Sequence, residues 1–175
     1  MSGPFGLLKG ATKDEIKVGT EIAKFTYEIP SPPKPHSFFP TIYATITPNH
    51  GVSFVKAISS EISTSGAGLE IKSSFITFTE KLTKVYGNPR VVDTFIEGGM
   101  YNEITDWMDS IIYKERQYFS SWHVDDGLTL PNDLKSVFLT VIPEDSYTGF
   151  IHLEYYFNNN DAAEDEISAL EDDAL

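Results

Sequence analysis

Thr41-Ile42-Tyr43-Ala44-Thr45-Ile46-Thr47-Pro48 returns, nearly in kind, as Ser136-Val137-Phe138-Leu139-Thr140-Val141-Ile142-Pro143. Each copy sets β-branched residues, an aromatic and a Thr ahead of a Pro, the composition of a half-buried strand followed by a residue that cannot donate to a ladder. A turn and a Gly follow in both, then a second apolar run, Gly51-Val52-Ser53-Phe54-Val55 in one and Gly149-Phe150-Ile151-His152-Leu153 in the other. Two hairpins are predicted, at 42–47 with 52–58 and at 136–142 with 149–157. The echo between them predicts one small unit used twice.

Outward from the first hairpin, Thr12-Lys13-Asp14-Glu15-Ile16 reads as a capping box opening a short helix that Gly19 closes. Phe25, Tyr27 and Ile29 alternate as a strand. Pro30 to Pro40 holds five prolines and is expected to be an extended, water-facing connection. Beyond the hairpin, Phe75, Phe78, Leu82 and Val85 share one face of a helix over about 71–86, stopped by Gly87 and Pro89. Ile104, Trp107, Met108, Ile111 and Ile112 keep the helical rhythm over about 102–114. A strand over 117–124 leads to a polar turn at Asp125-Asp126-Gly127, and the tail from Asp161 reads as a marginal helix through Ile167 and Leu170. The expected fold is α+β, two repeated helix-plus-antiparallel-sheet units with each sheet covered on one face by helices. The first unit is expected at 1–68, the second with an inserted helix at 69–158, and an acidic carboxy-terminal tail at 159–175.

Composition narrows the function. The chain has 175 residues, 41% hydrophobic and 13% aromatic, enough for a real interior. No apolar stretch approaches the roughly 20 residues of a membrane helix, and Met1 to Lys9 lack the charged start and greasy run of a secretory signal. With no cysteine there is neither disulfide stapling nor thiolate chemistry. A cytoplasmic address is expected. The net charge is −13, and the ten acidic residues after Lys135 meet no Lys or Arg. Such a field argues against nucleic acid and anionic membranes, and it favours a protein partner with a basic surface. Lys9, Lys13, Lys17, Lys24 and Lys34 gather early, but acidic residues interrupt them.

Chemistry is sparse. No Gly-x-Ser-x-Gly elbow and no phosphate-binding Gly-rich loop occurs. His123 with Asp125, and His152 with Glu154, each sit two apart on a strand, so each pair would share a face. Together they would make a metal-dependent hydrolase site only if their strands were adjacent and in register. No catalytic residue, metal ligand or cofactor is assigned. The stronger signal is aromatic. In the last strand Ile151, Leu153, Tyr155 and Phe157 share the expected core face, while Phe150, His152, Glu154 and Tyr156 share the other, mixed as recognition surfaces are. With Trp122, Asp125 and Asp126 these form the expected partner-binding set.

Gly6-Leu7-Leu8-Lys9-Gly10-Ala11-Thr12-Lys13-Asp14-Glu15-Ile16 resembles the helix start of β-lactamase-inhibitor-protein-like modules, shared by the small lipoprotein of the outer-membrane barrel-assembly machine. Val85-Tyr86-Gly87-Asn88-Pro89 is similar to their helix-ending motif. The resemblance implies helices packed on a small antiparallel sheet, in tandem, with a concave sheet that grips another protein. The expected function is a non-enzymatic bacterial binding module of immunity or inhibitor type, occluding a basic toxin or nuclease. A subunit or chaperone of a bacterial or phage assembly is the alternative, and the hydrolase a second.

Overall fold

The computed structural model describes residues 3–175, so Met1 and Ser2, which open the segment read above as carrying no signal, lie outside the described residues. The protein is α+β, and its described residues form a large antiparallel sheet of nine strands with three α-helices. The strands are β1 (Glu21–Ala23), β2 (Thr26–Glu28), β3 (Thr41–Thr47), β4 (Gly51–Ile58), β5 (Ile62–Ser63), β6 (Arg90–Phe95), β7 (Arg116–His123), β8 (Leu134–Asp145) and β9 (Thr148–Phe157). The helices are α1 (Leu69–Tyr86), α2 (Trp107–Ile112) and α3 (Asn160–Asp172). Hydrogen-bonded neighbours run β1-β2-β3-β4-β9-β8-β7-β6, with β5 also on β9. Among the described residues no helix is long and apolar enough to cross a membrane. The chain divides into two compact units that interleave: Met1–Ala57, Thr129–Val137 and Glu154–Leu175 form one, Ile58–Leu128 and Phe138–Leu153 the other.

In the first unit Pro48 ends β3 as expected, and Gly51 opens β4 with φ +63. The amino-terminal segment closes on this hairpin: Gly10 N–H donates to Val52 O at 2.9 Å and Val52 N–H to Ala11 O at 2.9 Å. A Cβ on Gly51 would strike the Gly10 carbonyl. Gly51→Ala is therefore expected to lower stability by about 2–3 kcal/mol, against about 1–2 for Gly127→Ala. Gly127 also has positive φ, but a Cβ there meets nothing within 4 Å. Urea titration of both variants reads the difference, and equal losses would count against the close approach at Gly51.

The expected helix at Thr12 is absent. Only half of the capping box forms: Glu15 Oε1 accepts the Thr12 N–H at 3.4 Å, but the Thr12 hydroxyl donates to the same carboxylate at 3.0 Å rather than accepting, Glu15 N–H goes to Thr12 O at 3.0 Å, and only turns follow. The chain is then captured in extended pairing, with Gly19 N–H on Glu28 O at 2.7 Å and Glu28 N–H on Thr20 O at 2.9 Å. A helix so short has no stability of its own to resist that. The strand predicted around Tyr27 is the second arm of a small hairpin, β1–β2, whose turn holds Phe25 at φ +61. The proline segment is mostly exposed and anchored by buried Phe39, which meets Phe5 edge-on at 6.1 Å.

The acidic tail is more than a marginal helix. In α3, Ala163 and Glu166 are buried, and Lys135 Nζ reaches Asp161 Oδ1 at 2.7 Å. Ahead of it the Asn159 amide donates to His50 O at 3.0 Å and Val52 O at 3.1 Å.

In the second unit α1 lies on one side of β7. The Phe75 ring lies tilted at 4.4 Å from that of Tyr118, Thr79 Oγ1 and Ser120 Oγ are 3.0 Å apart, and the Trp122 indole donates to Gly87 O at 2.7 Å. Ile71, Phe75, Phe78, Leu82 and Tyr86 are buried, whereas Val85, expected on this face, is 61% exposed. From Leu82 the step of four reaches Tyr86, and that residue takes the core position. The helix expected over 102–114 is shorter, a 3-10 turn at Ile104–Asp106 followed by α2. The tighter turn breaks the 3.6-residue register, leaving Ile104 82% exposed while Trp107 and Met108 are buried. Lys114, at φ +60, ends it. β6, which no local pattern predicts, pairs along its length with β7, from Arg90↔Ser121 to Phe95↔Arg116. β8 continues through Pro143 to Asp145, so this proline does not end its strand. A strand tolerates proline where the missing N–H faces no partner.

Candidate functional site

The last strand carries the alternation read from its sequence. Ile151, Leu153, Tyr155 and Phe157 are buried, and Phe150, His152, Glu154 and Tyr156 between them are half-buried. Successive strand residues face opposite sides, so the second set forms one row.

In the first unit the row continues sideways: the Phe54 ring of β4 lies 4.9 Å from that of Tyr156. The Tyr156 hydroxyl donates to Glu154 Oε2 at 2.8 Å. Burial raises the Tyr156 pKa, and Glu154 as acceptor, with the charges of Glu154 and Glu164, raises it further. The phenol therefore stays a neutral donor, holding Glu154 in place. In the second unit Phe119 of β7 and Phe138 of β8 lie 4.9 Å apart, with the Arg90 guanidinium 5.9 Å from the Phe119 ring. None of Phe54, Phe119 or Phe138 was in the predicted set. The alternation of their own strands carries the signal for all three, since each sits opposite a buried neighbour such as Val55, Ser120 or Val137.

Trp122 does not belong to a binding surface. It is 0% exposed, its indole N–H is used by Gly87 O, and Tyr86 lies edge-on at 6.4 Å. Its place in β7 sets it with Tyr118 and Ser120, beneath α1. Asp125 and Asp126 are exposed but sit in a 3-10 turn, Val124–Asp126, rather than on the strand. His123 Nδ1 accepts the Asp125 N–H at 3.0 Å. That bond places the ring proton on Nε2, so the 3.5 Å approach of Asp125 Oδ2 to the same nitrogen is no ion pair in this arrangement. Among the described residues no three His, Asp or Glu side chains form a group able to hold a metal ion, so His123, Asp125, His152 and Glu154 do not make the hydrolase cluster.

Other chemistry lies apart from the row. Glu144 is raised above the usual carboxylate range by a hydrogen bond with Glu61 and by that neighbour's charge, and both residues are exposed to water. A cleft of about 430 Å³ in the first unit is lined by Lys13, Asp14, Phe25, Tyr27 and Ile46 among others, with the Lys13 ammonium 4.8 Å from the Tyr27 ring centre. Left-handed backbone at a residue such as Phe25 costs about 1–2 kcal/mol, and here the Glu21 carboxylate, accepting the Phe25 N–H at 3.0 Å, holds it. In comparisons with known proteins, no family, no curated protein and no solved structure matches the chain.

Proposed function

We propose that the protein is a non-enzymatic protein-binding module of immunity or inhibitor type, acting in the cytoplasm by covering a basic surface of another protein. The observation that carries this reading is the half-buried row Phe150, His152, Glu154 and Tyr156 on β9. Beside it Phe54 meets Tyr156, and on β7 and β8 Phe119 and Phe138 meet each other. Rigid aromatics beside fixed polar groups are the composition of binding hot spots. The net charge of −13 would steer a basic partner inward. On this reading the hairpins β3–β4 and β8–β9 are two copies of one unit, each with helices on one side, as in the tandem modules that the sequence resembles.

The test is a stoichiometric complex with a basic protein of the native cell, measured by calorimetry and stopped flow. Its association rate is expected to fall about tenfold or more between low salt and a few hundred millimolar. Phe150→Ala with Tyr156→Ala is expected to weaken binding by about 2 kcal/mol or more, mainly through dissociation. A complex indifferent to both salt and the double variant, or none at all with any basic protein of that cell, would overturn the reading.

A further inference from the structure

We propose that a cleft in the second unit binds a small organic carboxylate, with Lys72 and Arg116 as its anion contacts. The cleft has a volume of about 240 Å³, and its lining includes Lys72, Asp93, Asn102, Ile104, Trp107 and Arg116. It lies on the Tyr118 side of β7, because Asp93 pairs with Tyr118 in the β6–β7 register while Val92 pairs with Phe119. The aromatic surface invoked for protein binding includes Phe119, so the two sites fall on opposite sides of that strand and stand or fall separately.

Each cation in the cleft is held ready. Arg116 donates from Nε to the buried Ser110 Oγ at 3.0 Å and from Nη1 to Asp93 Oδ1 at 2.6 Å, which fixes the plane of its guanidinium. Its Nη2 group has no hydrogen bond among the described residues. Lys72 is half-buried in the first turns of α1, its ammonium 4.2 Å from the centre of the Trp107 ring. It makes no ion pair among the described residues, whose ion pairs involve other groups. In a chain with 26 acidic residues against 13 Lys and Arg, a half-buried cation left unpaired is unusual. Desolvation lowers its pKa, partly offset by the Asp93 charge, so the ammonium gains from any anion that reaches it.

The carboxylates of the lining do not fill this role. Asp93 is taken by Arg116, and both Asp93 and Glu103 are exposed. The half-buried charge is therefore cationic and the acidic groups stand in water. Trp107 belongs to the same lining, and its indole N–H is buried behind the surface with no acceptor among the described residues. A carboxylate supplies acceptor oxygens to a lining rich in donors, and Ile104, 82% exposed, offers apolar contact to a short aliphatic chain. The volume suits an acid of about ten heavy atoms or fewer.

The probe is 4-methylpentanoate, with the neutral 4-methylpentanamide as control, titrated into the full chain and followed by the indole N–H signals of its two tryptophans. Trp122→Phe assigns them. The Trp107 signal is expected to shift saturably with the acid, with a dissociation constant of about 1 mM or tighter, and to ignore the amide. Lys72→Met, which keeps the stem and removes the charge, is expected to weaken binding about tenfold or more, and Lys72→Arg to retain it. Unchanged thermal midpoints show that both variants fold. No saturable shift with the acid, an equal response to the amide, or full binding by Lys72→Met would each overturn the proposal.

Discussion

Trp122→Ala is expected to lower the stability of the protein by about 4 kcal/mol, the range for removing a large aromatic from a core. The side chain is 0% exposed, edge-on to Tyr86, and its indole bonds the Gly87 carbonyl at 2.7 Å where α1 ends. Alanine there removes the ring and strips the carbonyl of its donor in one step. Trp122→Phe separates the two effects. It keeps most of the apolar volume and loses the hydrogen bond, and about 2 kcal/mol is expected. Urea unfolding followed by far-ultraviolet circular dichroism measures both. An alanine variant within about 1 kcal/mol of the parent would mean that β7 and α1 are not locked together through this residue.

Glu166→Gln is expected to cost about 2–3 kcal/mol near neutral pH and progressively less in acid. The carboxylate is buried in α3 and accepts the Asn49 N–H at 3.0 Å, with His50 Nδ1 2.7 Å from its other oxygen. Burial alone would push its pKa up. Hydrogen bonds from His50, Thr47 and Asn49, with the charge on His50, outweigh burial and leave it below the usual 4.5. A pKa lower in the folded than in the unfolded chain means that the unfolded chain binds the proton more readily. The stabilisation is therefore complete above the unfolded value of about 4.5 and is lost as pH falls through the folded one. Urea midpoints of parent and variant, taken from pH 7 downward, should converge in acid. A gap that stays constant with pH would show that the charge of Glu166 contributes nothing.

Local pattern was enough where an element carried its own period. The apolar stripe of α1 and its stop at Gly87, the β3–β4 and β8–β9 hairpins, and the in-out alternation of β9 were all readable because short-range spacing determines them. Elements defined by a distant partner were not. β6 has no clean alternation and is a strand because β7 pairs with it. The segment after Thr12 carries a capping box, yet β2 draws it into extended pairing. Glu166 read as one more charge of a solvated tail, since nothing local announces Asn49 and His50, over a hundred residues earlier. For the aromatic surface, the residues within β9 were legible, but the contacts of Phe54 with Tyr156 and of Phe119 with Phe138 cross between strands. Strand order, which brings cross-strand neighbours together, is not written in any window of sequence. Trp122 failed for a related reason: alternation tells that it faces opposite to Phe119, but not which of the two sides receives α1.

The interleaving of the chain shapes how it must be made. Ile58–Leu128 and Phe138–Leu153, which make up one unit, are all synthesised before Glu154–Leu175. Met1–Ala57, synthesised earlier, has to wait for Glu154–Leu175 before its own unit can close. Bringing ends so far apart together is entropically slow. Until then its β-branched strands are open to premature association.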